Sequence, residues 1–318
     1  MSSRVRNIFV LFLIALFSLT GCGTSNPSAS KSNGKLKVYV SLYPLEDFAK
    51  KIGGEYVQVT NLVPPGVEPH DFELTAKDIA KLHEANVFIY QGAGFENIKK
   101  VSESLNKGKT VVIDAATGIP LLKGTEAHGH DHDHAEHDHH HDSVDPHIWL
   151  DPQYAKKEAQ NIRDAFIKAD QKHRAEYEKN YQELAKKLDQ LDQEYREITK
   201  LAKQKKFVTS HAAFGYLAKR YELTQIPITG ISPTQEPSPQ ELKEIIETIQ
   251  HHQVKYILFE TLVTGKVAET VQREVKAESL TLNPLEGLTR EEIAQKADYF
   301  SVMRKNKENL AKALEVQP

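Results

Sequence analysis

Cysteine is almost absent from this 318-residue chain: Cys22 is the only one, so no internal disulfide can form. Excess charge of one sign is missing as well. With 41 Lys and Arg against 44 Asp and Glu, the formal net charge of -3 leaves no electrostatic footprint for nucleic acid. The lysine-rich stretches are balanced by glutamates at helical spacing, the pattern of a solvated helix face. Beyond one run at the N-terminus, nothing in the chain suggests a membrane span. Glycine and proline are missing from 153–207, which leaves room for long helix. A His-Glu-x-x-His helix, which hydrolytic metal sites often use, is also lacking.

Histidine, by contrast, is abundant. Of the 15 histidines, a tract at 128–141 holds His128, His130, His132, His134, His137, His139, His140 and His141, interleaved with Asp131, Asp133, Glu136 and Asp138. Neutral imidazole is a good ligand for zinc, copper and nickel, so this is a metal-collecting composition. A flexible run has no outer hydrogen bonds to fix tautomer and geometry, however, so it binds metal loosely and in many arrangements. A sharper site must come from the other seven: His70, His83, His147, His173, His211, His251 and His252.

The N-terminus carries Arg4 and Arg6, an apolar run at 8–19, and then Leu19-Thr20-Gly21-Cys22. A basic start, about a dozen apolar residues and small residues before the cut read as a signal peptide over 1–21. The run is too short for a permanent spanning helix. Cys22 stands where a bacterial lipobox places the cysteine that receives lipid. Residues 22–34 then read as a lipidated cysteine with a flexible Ser-rich tether, and folding is expected to begin near Lys35.

Strands rich in β-branched and aromatic residues are expected at 36–42, 57–62, 87–90 and 110–114, with a helix capped by Thr75 and Asp78 between them. This alternation implies a parallel sheet covered by helices, in a first lobe over 35–151 that includes the histidine tract. A helical linker and spine is expected over 152–204. Tyr177, Tyr181, Leu184, Leu188, Leu191, Tyr195 and Ile198 recur at steps of four and three, fitting one long amphipathic helix at 172–203 of about 45 Å. A second α/β lobe over 205–318 has expected strands at 207–210, 225–229, 256–259 and 279–282. Ser238 with Glu241 and Thr289 with Glu292 mark its helix starts. The fold class is thus α/β: two similar lobes with parallel sheets joined by one long rigid helix. A ligand belongs in the cleft between them, at the carboxyl ends of the strands.

Three histidines occupy that level. His70 ends the proline-stiffened loop Val63-Pro64-Pro65-Gly66-Val67-Glu68-Pro69. His147 lies in Asp145-Pro146-His147-Ile148-Trp149-Leu150-Asp151-Pro152, and His211 follows the strand at 207–210, where Ser210 is placed to cap a helix. Glu286, in Leu282-Asn283-Pro284-Leu285-Glu286-Gly287-Leu288, would complete a set of three nitrogens and one oxygen, although a solvent-facing loop glutamate fits the spacing equally well. Three imidazoles favour zinc over manganese or magnesium and leave copper and nickel open. Glu68, Asp145 and Asp151 are candidates to orient the imidazoles. His83 reads as a surface or packing residue, and His173, His251 and His252 as members of solvated helix faces.

The loop 67–70, the histidine tract before Asp145-Pro146-His147-Ile148-Trp149-Leu150, the segment Ser210-His211-Ala212-Ala213-Phe214-Gly215-Tyr216-Leu217, and 282–288 together resemble the zinc-binding lipoprotein subunits of bacterial ABC zinc importers, the ZnuA/AdcA type. The likeness covers the whole mature chain. It implies two α/β lobes bridged by a rigid helix, with His70, His147 and His211 as metal ligands. Many relatives use an aspartate as the last ligand, where this chain offers Glu286. It further implies Zn2+ as a transported ligand, an ABC permease and its ATPase as partners, and a monomer anchored by lipid at the extracytoplasmic face of the cell membrane. The tract at 128–141 is then expected to collect or sense metal beside the cleft. The competing readings are a manganese or other divalent-metal protein of the same family, a surface adhesin, and a zinc hydrolase. The missing His-Glu-x-x-His helix, the tether and the spine speak against the hydrolase.

Overall fold

The computed structural model describes residues 34–96, 98–105, 109–124 and 144–317. Cys22, its signal and tether, and the histidine tract at 128–141 lie outside the described residues.

Two four-stranded parallel sheets form the two lobes. In the first, β1 (Leu36–Val40), β2 (Val57–Asn61), β3 (Val87–Tyr90) and β4 (Val111–Asp114) run in the order β2-β1-β3-β4. In the second, β5 (Lys206–Thr209), β6 (Thr224–Pro227), β7 (Tyr256–Phe259) and β8 (Glu278–Thr281) repeat that order as β6-β5-β7-β8. All eight strands fall within two residues of the expected positions, because β-branched runs bounded by turn residues carry the signal. Each sheet reverses its winding between its first and third strands, so loops leaving β1, β3, β5 and β7 flank two topological switch points.

Helices cover these sheets. The first lobe carries α1 (Tyr43–Gly53), α2 (Ala76–Leu82) and α3 (Lys99–Leu105), with the expected Thr75–Asp78 capping box opening α2. Two helices follow, α4 (Pro152–Ala169) and α5 (Arg174–Lys200). The second lobe adds α6 (Gly215–Arg220), α7 (Pro239–His251), α8 (Lys266–Val275), α9 (Arg290–Ala294) and α10 (Tyr299–Ala313). Ser238 and Thr289 form the expected boxes with Glu241 and Glu292. Among the described residues, no helix is long and apolar enough to cross a membrane.

The stretch without glycine or proline is interrupted all the same. Asp170 leaves the helical region at φ -146 and ψ 83, and its carboxylate accepts from Lys172 N at 3.1 Å and from the Tyr177 hydroxyl at 3.0 Å. Aspartate can end a helix in this way by offering the backbone a competing partner. After a single turn at Gln171–His173 the chain doubles back, so α4 and α5 run antiparallel, with Lys156 paired to Asp189 and Arg163 to Glu178.

The spine α5 has 27 residues and is therefore about 40 Å long. Its buried stripe is Tyr177, Tyr181, Leu184, Leu188, Leu191 and Tyr195, as the periodicity expects, while Ile198 is half-buried and Thr199 closes the seam. Phe48 of the first lobe, Trp149, Tyr177 and Tyr195 of the spine, and Phe207, Phe214 and Tyr299 of the second lobe belong to one contiguous core. That shared core sets the spacing of the lobes, and hence of the loops that face each other across the cleft.

Candidate metal centre

Four loops converge on one point. His70 sits in a single turn, Pro69–Asp71, pinned by proline and by Glu68, whose carboxylate accepts from His70 N at 3.1 Å. His147 precedes the turn Ile148–Leu150 and is fully buried, with Asp145 Oδ1 accepting from its backbone N at 2.9 Å and lying 2.8 Å from its Nδ1. His211 stands two residues past β5 and is also fully buried. Glu286 follows β8 in a loop where Leu285 takes a left-handed φ of 59, a conformation an apolar residue adopts only when its surroundings impose it. That loop is tied on several sides. Asn306 Oδ1 accepts from Asn283 N at 2.8 Å, Asn283 Oδ1 from Leu285 N at 2.7 Å, and Trp149 Nε1 donates to the Pro284 carbonyl at 2.7 Å.

The donor atoms meet at short range. His147 Nε2 is 3.3 Å from the Nε2 of His70 and 3.3 Å from that of His211. Glu286 Oε1 is 3.1 Å from His147 Nε2 and 3.4 Å from the Nε2 of both His70 and His211. Four ligands at about 2.05 Å from a tetrahedral zinc ion sit about 3.3 Å from one another. The five measured edges therefore match a tetrahedral three-nitrogen, one-oxygen set, and the four donor atoms all lie within 4.8 Å of one another. The loop from 282 to 288 thus brings Glu286 into the cleft, 1% exposed, rather than out to solvent.

The electrostatics suit a cation. Burial opposes charge on His147, yet its bonds to Asp145 and Glu286 outweigh that penalty and raise the ring's pKa above the ordinary imidazole value. For His211 burial is likewise outweighed, first by Glu260 and then by Glu286, and its pKa stands well above the ordinary value. Burial by itself would raise Glu286, but hydrogen bonds from His147, His211 and His70 hold it well below the usual carboxylate range. Glu68 behaves in the opposite way, since burial and then the charge of Glu286 push it up to about 8. Glu68 Oε2 and Glu286 Oε2 are buried and without a hydrogen-bond partner among the described residues.

The other sequence candidates divide. Asp145 orients His147 as expected. Among the described residues Asp151 bonds no imidazole: it caps α4 by accepting from Gln153 N at 2.9 Å and pairs with Arg220 at 2.7 Å. Glu68 likewise acts on the His70 backbone and on Glu286 rather than on a ring. Ser210 does not cap a helix, because α6 begins only at Gly215 with Phe214 as its cap; the Ser210 hydroxyl instead donates to Glu260. Glu260 is the residue sequence reasoning missed. Its Oε1 lies 2.6 Å from His211 Nδ1, a close charge contact without hydrogen-bond alignment. Its signal was its place, directly after β7 at a switch point. The first lobe echoes this device, with Ser41 after β1 donating to Glu96 beyond β3. His83 is exposed at the end of α2. His173 is no solvated residue: its ring stacks on Tyr56 at 4.1 Å and its Nδ1 lies 2.5 Å from Asp170. His251 is exposed, and His252 lies 2.6 Å from Lys206 Nζ.

Known proteins carry the same pattern. A family profile described as zinc-uptake complex component A, periplasmic, matches residues 38–313. The high-affinity zinc uptake system protein ZnuA of Bacillus subtilis is 42% identical over 312 residues, covering 96% of this chain and 98% of that protein. The zinc-binding lipoprotein AdcA of Streptococcus pneumoniae is 38% identical over 302 residues, covering 94% of this chain but 59% of AdcA, so this chain spans little more than half of that relative. The Zn(II)-bound ZnuA-like domain of Streptococcus pneumoniae AdcA superposes with a TM-score of 0.75 at 35% identity, covering 89% of this chain and 100% of that one. With two matching lobes, a four-donor cleft and these likenesses over nearly its whole folded length, the chain belongs to the periplasmic zinc-uptake component A family.

Proposed function

We propose that this chain captures Zn2+ outside the cytoplasm and hands it to an ABC permease driven by its ATPase. The observation that carries the reading is the set of five donor separations of 3.1 to 3.4 Å that link three Nε2 atoms and Glu286 Oε1. Those distances suit an ion held by four protein ligands, His70, His147, His211 and Glu286. Four protein donors fill a tetrahedral zinc sphere and leave no open position for a reacting water, which favours holding over hydrolysis. The donor set brings three neutral imidazoles and one carboxylate, so zinc retains one positive charge there, with Asp145 and Glu260 close behind the rings to offset it.

Cys22 carries lipid in this reading, the segment 22–34 sets the reach of a monomer above the membrane, and 1–21 is removed. Stable anchoring needs more than one acyl chain, in keeping with a bacterial lipoprotein. The tract at 128–141 ends six residues before His147 and raises the local metal concentration beside the cleft.

Chelator competition tests both parts. His147→Ala should weaken zinc binding by about 100-fold or more, with the far-ultraviolet circular dichroism unchanged. Tight one-to-one binding by that variant would refute the assignment. Deleting 128–141 should preserve the tight site and slow cellular uptake when zinc is scarce; uptake unchanged at every zinc level would remove the collecting role.

A further inference from the structure

Behind the His147 loop lies a buried carboxyl for which metal capture has no direct use. Glu158, on α4, is 0% exposed, and its Oε1 accepts from Gln91 Nε2 at 2.7 Å. Gln91 is also 0% exposed, follows β3 at the switch point of the first lobe, and turns the same Nε2 toward the Pro146 carbonyl at 3.4 Å. Pro146 is the residue before His147. The remaining atom of each group, Gln91 Oε1 and Glu158 Oε2, is buried without a hydrogen-bond partner among the described residues.

Two buried acceptors with no donor, on side chains already joined by one bond, are costly. One proton removes the problem. If Glu158 Oε2 carries it, the acid donates to Gln91 Oε1 while the amide donates to Glu158 Oε1, closing a two-bond ring that satisfies every polar atom of both side chains.

We infer that Glu158 is a neutral carboxylic acid locked to the Gln91 carboxamide, and that this pair is a positioning element that seats the Pro146–His147 backbone for zinc. The surroundings agree with a neutral acid. Burial, followed by the charges of Asp114 and Asp151, pushes Glu158 up to about 8 against the opposing bond from Gln91. No cation is among the main influences on Glu158, and Arg220 pairs with Asp151 while on α1 Lys51 pairs with Asp47. From α5, Asp189 and Glu178 reach Lys156 and Arg163, not Glu158. Tyr216 and Tyr299 are also within its field. Ionisation of Glu158 would leave the Gln91 oxygen without a donor, and the amide would turn away from Pro146.

The role rests on the zinc-capture reading, but the pair can be detected without zinc. Infrared difference spectra of the metal-free chain against Glu158→Gln should show one protonated carboxyl band near neutral pH that fades as pH rises past about 8, the raised value. Absence of that band would overturn the neutral acid. Glu158→Gln supplies an amide that makes the same two bonds at every pH. Near neutral pH it should bind zinc as the parent does, within about twofold. Above about pH 9 the parent should lose about fivefold more affinity than the variant, a coupling of ordinary size between two sites. Identical pH profiles for the two proteins, with the band present, would overturn the positioning role. Failure of both proteins to bind zinc at all would instead strike the capture reading and leave the infrared result standing.

Discussion

His211 and Glu260 illustrate how single side chains set the strength of this site. The ring offers Nε2 to the cleft while Glu260 Oε1 sits 2.6 Å from Nδ1, a charge contact that makes the ring more basic. Glu260→Gln should therefore lower zinc affinity by about 10- to 100-fold with all four donors intact. Asp151→Asn, which touches a helix cap and Arg220 rather than an imidazole, should leave affinity within about threefold. Competition against a chromophoric chelator separates the two. Protons compete with the metal in a predictable direction. His147 and His211 have raised pKa values in the metal-free fold, so their contribution to its stability is complete below about pH 6.5 and is lost as pH rises through the raised values. Glu286 has a lowered value and contributes above about pH 4.5, losing its effect only under stronger acid. Zinc needs the rings deprotonated, so the rise in Tm caused by zinc should grow between about pH 6 and pH 8. A rise that shrinks with pH would contradict the assignment of these rings as ligands.

Among the described elements, α5 is the longest helix, and its buried stripe of tyrosines and leucines lies in the shared core. Leu188 is 0% exposed within its stripe, and Leu188→Ala should cost about 2–5 kcal/mol of stability in denaturant unfolding. The increment added by saturating zinc should remain, because a cavity in the spine alters no donor. Much at this scale was legible in the sequence. β-branched runs marked the strands, and the boxes at Thr75, Ser238 and Thr289 marked helix starts, since both signals are local. Three features were hidden because they depend on contacts distant in sequence. Asp170 lies just ahead of the helix expected at 172–203, and its part in ending α4 emerges only when Tyr177 folds back to bond it. Ser210 has the right chemistry for a cap, but Glu260, 50 residues away, takes its hydroxyl. Nothing in the local sequence marks Glu158 as buried; its contact with Gln91, just beyond β3, reveals it.

At the scale of the molecule, two lobes of identical strand order place loops on either side of one cleft, and a shared core holds those loops in register. The His70 and Glu286 loops touch directly across it, Gly66 N donating to the Leu288 carbonyl at 3.1 Å. His70 is the most accessible of the four donors, 9% exposed against 0 to 1% for the others. Sequence reading reached His70, His147, His211 and Glu286 because each lies at a loop after a strand or beside a proline, whereas their separations required the packed core. Zinc K-edge X-ray absorption on the chain lacking 128–141, loaded with one equivalent of zinc, addresses the site most directly. Capture by the cleft predicts a four-coordinate spectrum with three imidazole nitrogens and one carboxylate oxygen at about 2.0–2.1 Å. A six-coordinate spectrum dominated by water oxygens, or failure to retain one zinc per chain, would contradict it.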